Sequence, residues 1–264
     1  LHAEPVLAAL EAGKHIVCTK PLATTLEDCE KMAALVRQTG LKFVMAQTWR
    51  VLPKVAAAKR AVDEGQIGRI NFIETGYIHD LRRICERTTW RVTVPQQFLF
   101  GGGAHAIDCL RWFAGDVVEV SAFARNSEVI AGYPIEDIWI LNLKFASGAL
   151  GRILVMCGSV NSSHDIHQHV QIYGTKGTII GLDIGVDGES EHTTLETQPL
   201  QFAGVPIDGH AGELVVYFHN MAKWLENDEA PKPDVVDGSR AVAVGVAAQE
   251  SLRTGRAVRV QNRF

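Results

Sequence analysis

Apolar positions recur at helical spacing in the first dozen residues, where Val6, Leu7, Ala9 and Leu10 share a stripe and Gly13 ends the run. The short apolar block His15–Cys18 then reads as a buried strand. Pro21 interrupts the chain, Thr24 or Thr25 caps a helix running to Thr39, and Gly40 stops it. Lys42–Ala46 reads as a second buried strand. Helix, strand, helix, strand in this order predicts parallel strands joined by helical crossovers, part of a doubly wound sheet. A helix over 53–64 follows, with Pro53 in its first turn and Gly65 behind it.

Beyond that point the periodicity changes. Strands are predicted at 70–78, 119–124, 137–145, 148–156, 170–173, 178–182 and 194–197, with turns at Ala146–Gly148 and Gly174–Gly177. Two long helices, 212–227 and 238–254, close the chain. The fold class expected is therefore α/β plus α+β. A partial Rossmann domain over residues 1–50 precedes an α+β domain over 51–264, whose large, mostly antiparallel mixed sheet carries helices on one face. No internal repeat or low-complexity stretch is visible.

Composition narrows the function. The 264 residues are 47% hydrophobic, enough for a large core, and 26 basic against 30 acidic residues give a net charge of −4. No basic surplus invites nucleic acid. No apolar run approaches the ~20 residues of a membrane span, and Glu4 and Glu11 argue against a signal peptide. Cys18, Cys29, Cys85, Cys109 and Cys157 are scattered, which favours free thiols and a cytoplasmic setting. The partners expected are a small molecule and further copies of the chain.

Two segments carry candidate chemistry. Thr19-Lys20-Pro21 follows a strand end, where open parallel sheets bind ligands. Gly101-Gly102-Gly103 opens a helix with apolar Ala106, Ile107, Leu110 and Phe113, and its first turn holds His105. There the helix dipole keeps an imidazole neutral and able to act as a base. Asp108, one turn on, is placed to orient it; a helix-capping role for both residues remains the other reading. His79, in the polar run after the strand at 70–78, and Arg91, in the long segment 80–100, are candidate substrate contacts or solvated loop residues. Asp208, Gly209 and His210 precede the 212 helix and are placed to point into the same site. His164, His167 and His169 with Asp165 have no further ligand at clear spacing, so no metal is expected.

These segments together resemble the family of glucose–fructose oxidoreductase, inositol dehydrogenase and a rhizopine catabolism protein (Gfo/Idh/MocA). Ala3–Thr24 is similar to its Glu-Lys-Pro region, and Thr48–Pro53 to its Asn-x-Arg-x-x-Pro segment. Gly101–Phe113 resembles its Gly-Gly-Gly…His-x-x-Asp segment. Tyr173–Thr178 is similar to its Gly-Thr-x-Gly turn, and Asp237–Ala241 to its last helix start. The order is the family's across nearly the whole chain.

The resemblance implies an oxidoreductase that uses NAD or NADP to move hydride from a sugar or related hydroxy compound. Lys20 and His105 would be catalytic. Lys20, Pro21, Trp49 and Arg50 would lie against the cofactor, and Asp108 is expected against substrate, with Arg91 and His79 added by their places in the chain rather than by the resemblance. A homodimer or homotetramer through the C-terminal sheet is expected. Relatives that use transient oxidation to cleave glycosidic bonds share the Gly-Gly-Gly-x-His pattern, and an inactive binding protein is the third possibility.

Three departures stand out. Thr19 replaces the family's Glu, and Gly101 stands where members acting on cyclic polyols carry Asp. The G-x-G-x-x-G fingerprint that seats pyrophosphate is absent. The chain also opens on Leu1, so it is expected to be the larger, C-terminal portion of a two-domain enzyme that binds dinucleotide weakly.

Overall fold

In the computed structural model, residues 2–93, 97–161, 170–202, 205–207 and 209–264 are described. The first unit runs α1 (Ala3–Glu11), β1 (Ile16–Thr19), α2 (Leu26–Thr39) and β2 (Phe43–Ala46), then a 3-10 turn, Thr48–Val51, and α3 (Pro53–Asp63). Then follow β3 (Ile70–Ile78), α4 (Arg82–Arg87), α5 (Trp90–Thr93) and α6 (Gly103–Ala114). The sheet continues with β4 (Val117–Arg125), β5 (Ile138–Phe145), β6 (Leu150–Met156), β7 (Val170–Gly174), β8 (Gly177–Ile180), β9 (Asp183–Val186) and β10 (Thr193–Thr194). A short hairpin, β11 (Gln201–Phe202) and β12 (Val205–Pro206), precedes α7 (Gly209–Glu226), α8 (Val235–Thr254) and β13 (Val258–Arg259).

β1 and β2 pair in parallel, Ile16 opposite Phe43 through Thr19 opposite Ala46. α2 begins where Thr25 Oγ1 accepts the Asp28 amide, and ends on Gly40 in the left-handed region at φ 68°. The other edge of β2 is engaged by α8's approach, Met45 N donating to Pro233 O at 2.8 Å.

The second sheet has nine strands in the order β10-β9-β8-β7-β3-β6-β5-β4-β13. β3 and β6 are parallel and the other neighbours antiparallel. α6 lies across β3 and β6, and α8 across β4 with α2 on its far side. The helix-facing strand positions alternate with the open-face positions, so Trp139, Leu141, Leu143, Ile153 and Val155 are buried beneath the helices. α8 fits between layers because its inward residues are small, among them Ala241, Ala243, Ala247 and Ala248. Its start is fixed by a reciprocal capping box between Asp234 and Asp237.

Three expectations are corrected. A strand over 194–197 shrinks to the two residues Thr193–Thr194, pairing with Ile184 and Asp183, and a last bond from Leu195 N to Leu182 O at 2.8 Å closes the pairing. α6 is buried almost all round rather than along one apolar stripe, since the sheet lies under it and α8 and the 3-10 turn pack on its other sides. The segment 80–100, read as irregular, holds α4 and α5. All five cysteines are buried and free. Among the described residues no helix is long and apolar enough to cross a membrane.

Candidate active site

Both parallel strand pairs contribute to one region. Lys20 and Pro21, joined by a cis peptide, come directly after β1, and Gln47 comes after β2. From the large sheet, His79 extends β3 and Cys157 extends β6, with His79 N donating to Met156 O at 2.8 Å. Burial, with the Arg91 guanidinium nearby, holds the Lys20 ammonium below the usual lysine value, while Cys157 acts in the opposite sense. The Tyr77 phenol is pushed up by burial and by Cys157, against the pull of Arg91. Cys157 and Arg91 therefore act electrostatically on both Lys20 and Tyr77.

Tyr77 connects this group to His105. The imidazole, 3% exposed in the first turn of α6, lies 5.7 Å from the Trp49 ring at 7° and 6.2 Å from the Tyr77 ring at 21°. Trp49 and Tyr77 are 6.4 Å apart, so the three centroids form a nearly equilateral triangle of offset rings. His79 packs on Tyr77 at 4.4 Å. The structure thus brings together Lys20, Arg91, His79 and His105, with Tyr77 and Cys157, two residues the sequence reading passed over. The signal available for Tyr77 was its parity on β3, which puts it on the same face as buried Ile73.

The three glycines have different neighbours. A Cβ on Gly102 would stand 2.0 Å from the Tyr77 ring, and one on Gly103 would stand 3.1 Å from Val155. One on Gly101 would meet nothing nearer than 3.7 Å. What approaches the backbone closely here is Tyr77 and the sheet.

Asp108 is placed differently from the orienting role expected of it. Its carboxylate is 1% exposed and takes two 2.7 Å hydrogen bonds from Arg50, one from Nε and one from an Nη. Arg50 also reaches Asp237 at 3.5 Å and lies over the Trp112 ring. Burial works against its charge, but Asp108 and then Asp237 hold the guanidinium above the ordinary arginine value. Trp49, 2% exposed, packs against His105 and Tyr77. Two of the residues expected against the cofactor, Trp49 and Arg50, are thus committed to the protein itself.

What the end of β2 offers instead is polar. Gln47 Oε1 and Thr48 Oγ1 are buried without a hydrogen-bond partner. Gln47 lines a small cleft with Pro21, Leu22 and Ala104. Among the described residues no group of three His, Cys, Asp or Glu side chains is placed to hold a metal. His164, His167, His169, Asp165 and Asp208 lie outside the described residues, as does the side chain of His210.

Comparison with known proteins follows this geometry. The levoglucosan dehydrogenase of Pseudarthrobacter phenanthrenivorans is 30% identical over 210 residues, 68% of this chain and 52% of that enzyme. The 1,5-anhydro-D-fructose reductase of Ensifer adhaerens is 26% identical, with 99% of this chain and 77% of that one covered. The scyllo-inositol 2-dehydrogenase (NAD(+)) of Bacillus subtilis is 26% identical over 98% and 74%. The chain therefore spans about half of the first relative's length and about three quarters of the other two. A levoglucosan dehydrogenase solved with NADH and levoglucosan superposes with a TM-score of 0.84 at 25% identity, covering 99% of this chain and 77% of that one. The profile described as oxidoreductase family, NAD-binding Rossmann fold, matches residues 1–47, and that described as oxidoreductase family, C-terminal alpha/beta domain, matches residues 59–260. The chain belongs to the Gfo/Idh/MocA oxidoreductase family.

Proposed function

We propose that this protein is a nicotinamide-dependent dehydrogenase of a sugar or related hydroxy compound, with His105 as the base and Lys20 as the electrostatic partner. The observation that carries the reading is that Arg91 and Cys157 act electrostatically on both Lys20 and Tyr77, while the Tyr77 ring lies 6.2 Å from that of His105. NADH and levoglucosan bound to a structural relative support it.

His105 takes the proton of the substrate hydroxyl in this reading. Burial and the helix start favour the neutral imidazole, which is the state that can accept that proton. Lys20 donates to the alkoxide that forms, in surroundings where burial strengthens the charge interaction. Arg91 and His79 are the candidates for contact with the remaining substrate oxygens. When bound, nicotinamide supplies the hydride acceptor. Gln47 and Thr48 suit its amide end, since their buried, unbonded side-chain oxygens just beyond a parallel strand's C-terminal end await a polar partner, and Pro21 lines the same cleft as Gln47. Its pyrophosphate finds no glycine-rich turn in these residues, and NAD and NADP remain equal candidates.

A panel of aldoses, anhydrosugars and inositols with NAD or NADP tests the reading by the appearance of reduced nicotinamide. Release of an aglycone without net reduction would replace it with glycoside cleavage. Silence across the panel with the cofactor bound would leave a binding protein.

We infer further that the protein acts as a homodimer or homotetramer through the open face of the nine-stranded sheet. Phe123, Ile140, Leu150, Tyr173 and Ile180 are exposed there, from five different strands.

A further inference from the structure

The geometry points to Tyr77 as the positioning residue of His105: its ring, seated in the space Gly102 leaves, sets where the imidazole stands and keeps water from it. This rests on the reading of His105 as the proton acceptor and names what holds that acceptor in place.

Tyr77 lies on the helix-covered face of β3, opposite Val155 of β6, directly beneath the start of α6. A tyrosine ring fits under a helix only where the backbone above it carries no side chain. At Gly102 a Cβ would stand 2.0, 2.3 and 2.4 Å from three carbons of that ring. The ring is therefore pressed against the peptide three residues before His105, and no other residue type at 102 leaves it there. From this seat it meets three rings: His79 at 4.4 Å, His105 at 6.2 Å and Trp49 at 6.4 Å. Tyr77 is the ring that touches both histidines of the site, and it comes from a rigid central strand rather than a loop. A side chain locked by packing on a regular element is the arrangement that holds a reacting group to within a fraction of an ångström.

The charged and titratable groups around His105 come from several elements. Tyr77 and His79 belong to β3 and its extension, Asp108 to α6, and Arg50 to the 3-10 turn. Cys157 and Arg91 act electrostatically on Tyr77, and the same two act on Lys20. Losing the Tyr77 ring would admit water to the imidazole and relieve the burial that disfavours its charged form, so the titration midpoint of His105 should rise.

The test is nuclear magnetic resonance of the 264-residue chain with isotopically labelled histidine, the His105 signals assigned by their loss in His105→Gln. Tyr77→Phe keeps the ring and should leave the His105 midpoint within about 0.2 pH units. Tyr77→Leu removes the ring, and Gly102→Ala displaces it. Each should raise the midpoint by about 0.5 units or more and broaden or shift the His79 signals. An unmoved His105 midpoint in Tyr77→Leu and Gly102→Ala would overturn the proposal. So would a Tyr77→Phe shift as large as that of Tyr77→Leu, which would assign the effect to the hydroxyl. Should Tyr77→Leu fail to fold, the pair Gly102→Ala and Tyr77→Phe decides the matter in the same way. Turnover is a separate readout: His105→Gln retaining full dehydrogenase activity would sink the base assignment while leaving the positioning result standing.

Discussion

Lys20 is held in surroundings that oppose its charge, and this makes a prediction opposite in sign to the usual one for a surface lysine. Burial and Arg91 lower its folded pKa below the unfolded value of 10.5. Below the folded pKa the full penalty is present. As pH rises through the window between the folded pKa and 10.5, the unfolded chain holds more protons than the folded one, and stability from this group increases. Lys20→Met should therefore raise the urea midpoint at neutral pH, with a gap from wild type that narrows towards alkaline pH, while turnover is lost. A lower midpoint for Lys20→Met would show that the ammonium is paired rather than strained. For His105 the corresponding expectation is kinetic. His105→Ala should reduce kcat by roughly 10²–10⁴-fold with dinucleotide affinity unchanged, read by steady-state assay and calorimetry on a form that turns over. An unchanged kcat would leave His105 as a structural helix-start residue. Both residues were singled out in the sequence, Lys20 by a strand end and His105 by a glycine-led helix start, and the family resemblance supplied the roles proposed for them. Tyr77 was not, since nothing within β3 itself says that a helix from elsewhere in the chain will lay a glycine over its ring.

At the scale of elements, the Arg50–Asp108 pair ties the 3-10 turn after β2 to α6, and so ties Trp49 to the imidazole it stacks on. Both charges are largely removed from water, with side chains 11% and 1% exposed. Removing one partner leaves the other buried alone, which typically costs about 3–5 kcal/mol. Asp108→Ala should be destabilised by that order in urea unfolding, and Arg50→Met with Asp108→Leu should recover much of it. If Asp108→Ala were neutral, Asp108 would be free for the substrate-facing role its sequence position suggested. The glycine run separates in the same way. Gly102→Ala should lose about 1–3 kcal/mol through overpacking against Tyr77, while Gly101→Ala has room and should be neutral or slightly stabilising. Most elements were legible because their signals are local: Thr25 before α2, Gly40 after it, Pro53 at the start of α3, the apolar run Ile138–Leu141 that opens β5. The short strands β9, β11, β12 and β13 were not, because two to four residues carry too little periodicity and exist by pairing alone. The commitment of Arg50 to Asp108 was hidden for a similar reason: the partners are 58 residues apart.

On the scale of the whole molecule, helices cover one face of the nine-stranded sheet, and the composition of the other face argues for a second copy of the chain. Reading across the registered strands, Phe123, Ile140 and Leu154 form one apolar row, and Leu150, Phe72 and Tyr173 another. Between them runs a polar row of Asn142, Arg152, Glu74 and Gln171, with Arg152 bonded to Glu74 at 2.6 Å. A two-fold axis through the polar row would lay apolar row on apolar row and set each Arg152–Glu74 pair against its own copy with signs reversed, which is the self-complementarity an isologous interface requires. Phe123, 66% exposed, and Leu150, 51% exposed, would then leave water. Light scattering at a few tens of micromolar should give at least a dimer mass for the wild-type chain. Phe123→Glu should give a monomer, because it buries a charge with no partner in the apolar row. Exchanging both members of the central pair, Glu74→Arg with Arg152→Glu, keeps its self-complementarity and should preserve the dimer, whereas Glu74→Arg alone sets like charges together and should weaken it. A clean monomer for the wild-type chain would leave the open face to a different occupant, and a dimer indifferent to Phe123→Glu would move the interface off this sheet.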